Sequence, residues 1–223
     1  MKKIIGVLLI LIGCIGALYL LSPYVHSIPA ASSAPAATEV TVAHVYDNTD
    51  AYTIDAEYPQ VGIPIIDAQI AKAVNDALAE FKTLPQNPHD SSTPQNQFTG
   101  RFDKVYVGPD VVSAELILEE YTGGAHPNTA FSGVTYDRQS GKLLTLDDAL
   151  RMTGLTLDQL SAQASAQLQA KLGDSFMFPE GANTNPDNFS SFVVGTSTVT
   201  FLFQQYQVAP YVFGEQEISF PKK

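Results

Sequence analysis

Several things are scarce in this sequence. Cys14 is the only cysteine, and there is no tryptophan. A single thiol excludes an internal disulfide framework and any multi-cysteine zinc site. Basic residues are few, with 12 Lys+Arg against 23 Asp+Glu and a formal charge of −11. That balance argues against a nucleic-acid partner, because nucleic-acid binders need clustered cations to displace counterions. Catalytic signatures are also missing. There is no H-E-x-x-H, no phosphate loop and no G-x-G-x-x-G, and Gly195-Thr196-Ser197-Thr198 lacks the second glycine of G-x-S-x-G. The histidines are His26, His44, His89 and His126, and no two fall within one helical turn. No metal and no cofactor is therefore expected. With 223 residues, 45 % of them hydrophobic and 16 % charged, the chain can bury a core of one or two domains.

The first long feature is apolar. Lys2 and Lys3 precede 18 uncharged residues, Ile4 to Leu21, and the next Lys or Arg is Lys72. As a helix such a run is about 27 Å long, enough for a bilayer core. The positive-inside rule puts its N-terminus in the cytoplasm and the rest outside. Residues 1–21 are thus expected to be a single-pass anchor at the cell membrane. Two alternatives stand beside it. Leu11-Ile12-Gly13-Cys14 resembles a lipobox, making Cys14 a candidate lipidation site, and Ala34-Pro35-Ala36 has the form of a cleavage site for secretion. Each of the three exports the chain. Without the two lysines, 10 basic and 23 acidic residues remain, a charge of −13 that attracts cationic partners. Residues 22–38, rich in Ala, Pro and Ser, read as a tether.

Beyond the tether the pattern predicts an α+β fold, with helices packed on antiparallel sheet. Tyr52, Ile54, Ala56 and Tyr58 alternate with polar residues as a strand that Pro59 ends. Ile66, Ile70, Val74, Leu78 and Phe81 form one helical stripe. Strands are expected over 97–107, 112–119 and 130–137, with a turn at Gly141. Thr145 and Thr156 each stand three residues before an acid or amide, as N-caps of two short helices, the second stopping at Gly173. Short strands follow at 192–194, 199–203 and 217–220.

Two loops stand out. Tyr121-Thr122-Gly123-Gly124-Ala125-His126-Pro127-Asn128 joins two strands, and its histidine can change charge near physiological pH. The readings open for His126 are a backbone lock on the turn, a contact with a partner, and a general base assisted by an acid such as Glu120. The second loop, Phe203 to Gly214, carries Gln205 and Tyr206, and then Tyr211 between Pro210 and Gly214. Its tyrosines suit an interface, and they equally suit the end of a core.

Together these motifs resemble the DUF3298 family (the RsiV-like extracytoplasmic domain). The resemblance rests on Tyr121 to Asn128, Tyr136-Asp137 with Ser140-Gly141-Lys142, Leu146-Asp147-Asp148, Phe203-Gln204-Gln205-Tyr206, and Ala209-Pro210-Tyr211 with Gly214. The segment before it resembles the DUF4163/PdaC-like module. The implied division is 39–110 for the first module and 111–223 for the second. Members of the family include the extracellular half of an anti-sigma factor that binds lysozyme, and a segment accompanying a peptidoglycan deacetylase. Only Met1 to Lys3 precede the apolar run and the sequence ends at Lys223, so neither a sigma-binding domain before it nor a deacetylase domain after it is expected here.

What remains is a non-catalytic binding or sensor module at the bacterial cell envelope. Its expected ligand is a cationic muramidase of the lysozyme type, or peptidoglycan. Tyr121, Gly123, Gly124, His126, Asn128, Gln205, Tyr206 and Tyr211 are the candidate binding residues. The alternatives are an envelope hydrolase using His126, or a purely structural module.

Overall fold

Five apolar residues spaced to one helical face need a surface to cover, and a sheet supplies it. In a computed structural model, which describes residues 39–87 and 94–223, helix α1 (Pro64–Thr83) buries Ile66, Ile70, Val74, Leu78 and Phe81. Pro64 opens it, where a missing N–H costs nothing. The stripe packs on a five-stranded sheet in the order β1 (Thr41–Asn48), β2 (Tyr52–Gln60), β3 (Asn96–Val107), β4 (Val111–Tyr121) and β5 (Asn128–Asp137). Ile54, Ala56, Phe98, Val112 and Leu116 meet the helix in one core. The apolar run 4–21 with Cys14, the tether and His89 lie outside the described residues.

The fold is α+β, as the order of elements predicts, and most strand pairs are antiparallel. The exception is β2–β3, which is parallel over Tyr52–Ala56 and Asn96–Gly100. Helix α1 explains it, because a helical crossover returns the chain to the same end of the sheet before the next strand begins. Strand β2 also runs through Pro59 to Gln60 instead of stopping at the proline. Pro59 lies beyond the stretch paired with β3, so its missing N–H takes no bond from that ladder.

A second layer uses the C-terminal half. Strands β6 (Phe192–Val194), β7 (Thr198–Phe203) and β8 (Gln216–Pro221) form an antiparallel sheet. Phe192, Phe201, Phe203, Ile218 and Phe220 pack with Leu160, Ala164 and Leu168 of α3 (Leu157–Leu172) and with Ala149 of α2 (Leu146–Thr153). Both helices start on their expected threonines. The Asp148 carboxylate accepts from the Thr145 N–H (2.8 Å), and Thr156 and Gln159 cap each other reciprocally (3.0 and 3.3 Å).

Hydroxyl groups fasten β6 onto β4 and β5. The Val194 N–H donates to Ser113 Oγ (2.9 Å), Thr135 Oγ1 donates to the Phe192 carbonyl (3.1 Å), and the Gly133 N–H donates to Ser191 Oγ (2.8 Å). A Cβ at residue 133 would lie 2.5 Å from the Phe192 backbone, so only glycine permits this approach. The second layer also buries Ser113 and Glu115, which the alternation of β4 puts on its polar side. The division expected at 110/111 falls in the β3–β4 turn, between neighbouring strands of one sheet.

Candidate functional site

Strand β4 ends at Tyr121 and β5 starts at Asn128, so residues 122–127 form the connection at one end of the first sheet. Gly123 takes φ 92°, a conformation open to glycine at little cost. Asn87 Nδ2 donates to the Thr122 carbonyl (3.0 Å) and pins the outgoing arm. His126 ends up exposed. Its Nδ1 lies 2.8 Å from the Pro127 carbonyl. A carbonyl only accepts, so Nδ1 carries the proton, and Nε2 of the neutral ring is left as an acceptor.

The second loop is anchored by glutamines. The Gln204 side chain makes a two-way bond with Phe131 of β5, donating to its carbonyl (2.6 Å) and accepting its N–H (2.8 Å). Gln207 Oε1 accepts the Gln204 N–H (2.8 Å), while Nε2 donates to the carbonyls of Gly181 and Asn188 (2.9 and 3.0 Å). Between these anchors Tyr206 is forced to φ 64° and is 55 % exposed as a residue. A non-glycine residue held there marks strain kept by its surroundings. Tyr211 opens a single 3-10 turn after Pro210, which Gly214 ends at φ 66°.

The two loops converge. The His126 ring stacks on Tyr211 with centroids 3.9 Å apart and planes 23° apart. Tyr206 lies 5.7 Å from Tyr211 and 6.4 Å from His126. Beside the rings is an open pocket of about 230 Å³ whose walls include Asn128, Thr129, Gln204 and Gln205. It is smaller than the roughly 300–1,000 Å³ of sites that engulf a drug-sized ligand, so it suits one ring or one side chain of something larger. Its walls offer aromatic faces, hydroxyls and amides. Asn128 also borders a neighbouring hollow of about 370 Å³ formed with Leu84, Pro85, Asn87, Glu120 and Thr122.

Of the residues singled out in the sequence, His126, Asn128, Gln205, Tyr206 and Tyr211 meet at the pocket. Tyr121, Gly123 and Gly124 do not line it; they build the end of β4 and the turn behind it. Pro127, Thr129, Ala130 and Gln204 line it and were not singled out. Gln204 was visible only as part of a motif, since a side chain that bonds a distant strand looks like any polar loop residue. Burial, then the charge of Glu80, push the Glu120 carboxyl above its ordinary range. Among the described residues no hydrogen bond or ion pair joins Glu120 to His126, and no cluster of His, Cys, Asp or Glu is arranged to hold a metal ion. No helix among them is long and apolar enough to cross a membrane.

Residues 151–223 match the family described as "Protein of unknown function (DUF3298)". The match starts after the Tyr121–Asn128 motif and includes Gln205, Tyr206 and Tyr211. In sequence the chain is similar to immunogenic protein MPB64 of Mycobacterium bovis and immunogenic protein MPT64 of Mycobacterium tuberculosis. Each is 23 % identical over 109 residues, 48 % of this chain and 48 % of the relative. The chain therefore spans about half the length of the curated relatives it matches. In structure it resembles a DUF3298 protein from Pseudomonas aeruginosa (TM-score 0.54, 18 % identity, covering 83 % of this chain and 92 % of that one). It also resembles one from Bacteroides fragilis (TM-score 0.52, 18 % identity, covering 83 % and 91 %). At that identity the likeness is one of fold.

Proposed function

We propose that this chain is a non-catalytic recognition module of the bacterial cell envelope, and that it binds through the pocket between the His126 and Tyr206–Tyr211 loops. The observation that carries this reading is the convergence of two loops, distant in sequence, into a cluster of rings beside amides, with His126 and Tyr206 exposed and Tyr211 half-buried. Rings held at the surface by half-buried glutamine anchors favour recognition, since loops on a rigid scaffold are where binding residues collect. The ligand is a lysozyme-type muramidase or a peptidoglycan strand. The acidic charge supports the muramidase, because a basic enzyme is steered to a negative surface. The small pocket, walled by aromatic rings, amides and a hydroxyl, supports a sugar ring or a single side chain as the element it takes. The RsiV-like and DUF4163-like resemblances, together with the apolar N-terminal segment, support a place outside the membrane.

The test is a binding assay of the full-length chain against lysozyme and against peptidoglycan, with muropeptide turnover followed in parallel. Affinity for either of about −8 kcal/mol or tighter, a micromolar Kd, supports specific recognition. Tyr211→Ala is expected to weaken it at least tenfold. No binding of either at low ionic strength overturns the reading, and turnover of a muropeptide that is lost in His126→Ala replaces it with the hydrolase.

A further inference from the structure

Among residues that do not line the pocket, three glutamates gather around one lysine where the two sheets meet. Lys104 sits in β3 where the register with β4 slips between Asp103 and Tyr106, and it takes φ 51°. Such a bulge re-aims a side chain. Its Nζ lies 2.5 Å from Glu115 of β4, 3.4 Å from Glu217 of β8 and 4.0 Å from Glu215 just before β8. Glu115 is fully buried, and the Glu215 side chain is 15 % exposed.

Among the described residues Lys104 is the cation paired with these carboxylates, while Lys222, which follows β8, lies over the Tyr106 ring of β3 at 5.9 Å. Strand β5 sets Gly133 opposite Glu115, and β7 sets Leu202 opposite Glu217. Asp103 is exposed and is engaged with the Lys104 N–H at 2.7 Å. One ammonium therefore serves three carboxyl groups. Glu115 Oε1 and Glu215 Oε1 are both buried, and neither has a hydrogen-bond partner among the described residues. Two carboxylates side by side cannot satisfy each other, but a carboxylic acid beside a carboxylate can.

We propose that Glu115 and Glu215 share one proton, and that this proton latches the start of β8 to the β3–β4 hairpin. With the proton in place, two negative charges face Lys104 and the buried pair is bonded. Without it, three negative charges face one ammonium, and the repulsion falls on the contact between the sheets. Burial first, then bonding to and the charge of Glu115, push Glu215 up from 4.5 to about 8. The folded chain thus holds the proton more tightly than the unfolded one. The latch is complete below pH 4.5 and is lost as pH rises through about 8, so stability falls across that interval.

The experiment is a ¹³C NMR titration of glutamate side-chain carboxyls in the full-length chain from pH 4 to 10, with thermal unfolding over the same range. The expected result is a coupled pair of resonances with an apparent midpoint near 8. The Tm should fall by several degrees from pH 5 to pH 9. Glu215→Gln should abolish the high midpoint and flatten the Tm profile, while Glu217→Gln, which leaves the pair intact, should keep the midpoint above 6. The latch is overturned if every glutamate of the folded wild type titrates below pH 6, a result that needs no variant to fold. It is equally overturned if Glu215→Gln folds and keeps both the high midpoint and the slope.

Discussion

The imidazole of His126 and the phenol of Tyr211 lie face to face, 3.9 Å between centroids, although one belongs to a β4–β5 connection and the other to the loop before β8. Neither ring is part of either apolar core. Their contact joins the ends of two sheets outside both cores, so removing either ring touches binding more than stability.

Replacing Tyr211 or His126 with alanine removes one face of the stack. Each variant should lose at least tenfold in affinity for the ligand that the wild type binds. Aromatic pairs contribute about 0.5–1.5 kcal/mol beyond the area they bury, so outside both apolar cores Tm should drop by only a few degrees. Isothermal titration together with thermal unfolding of each variant checks both halves of the statement.

Tyr206→Gly makes an opposite pair of changes. Glycine accepts φ 64° without the penalty a side chain meets, roughly 1–2 kcal/mol. It also loosens the unfolded chain, which offsets part of that gain. Urea unfolding should show stability unchanged or slightly raised, with weaker binding. A large loss of stability would mean that the ring supports the fold.

Gly133→Ala should be among the most damaging single substitutions. Its Cβ would press on the Phe192 backbone at 2.5 Å, which cannot rotate away. Overpacking of this kind costs about 1–3 kcal/mol, with the sheet-to-sheet hydroxyl bonds at further risk. Gly124→Ala is the control, since its Cβ would meet only the His126 carbonyl at 3.6 Å. Chemical denaturation of the two variants should differ by at least 1 kcal/mol.

The cap of α2 gives an acid-side pH dependence. Backbone bonding to Thr145 is the main cause holding Asp148 below its ordinary 3.8, despite some burial, with help from the Thr145 hydroxyl and Arg151. A depressed folded-state value means that the stabilisation is present above pH 3.8 and is lost as pH falls through the folded-state value. Asp148→Ala should therefore cost about 1 kcal/mol at neutral pH. The gap between variant and wild type should close in strong acid, as followed by circular dichroism.

Much of the fold is legible in particular residues. The stripe Ile66 to Phe81 locates α1 and its buried face, because helical periodicity and burial are the same fact seen twice. Thr145 and Thr156 mark helix starts through local hydrogen bonds that need no distant partner. Strand β1 carries no such mark. Val42 and Tyr46 are exposed while Ala43 and Val45 face inward, so hydropathy does not alternate as it does in β2. The burial of Glu115 was illegible for another reason: its cover comes from a sheet about 80–100 residues further along the chain.

Composition, periodicity and capping chemistry determined the α+β class, the place of each helix and the two loops worth attention, since these follow from contacts within a few residues. Only the tertiary structure decided that the loops meet, that Gln204 holds one of them against Phe131, and that Glu115 and Glu215 lie together beside Lys104. Those relationships depend on how one sheet is laid across another, and that placement is set by the summed packing of distant side chains rather than by any local pattern.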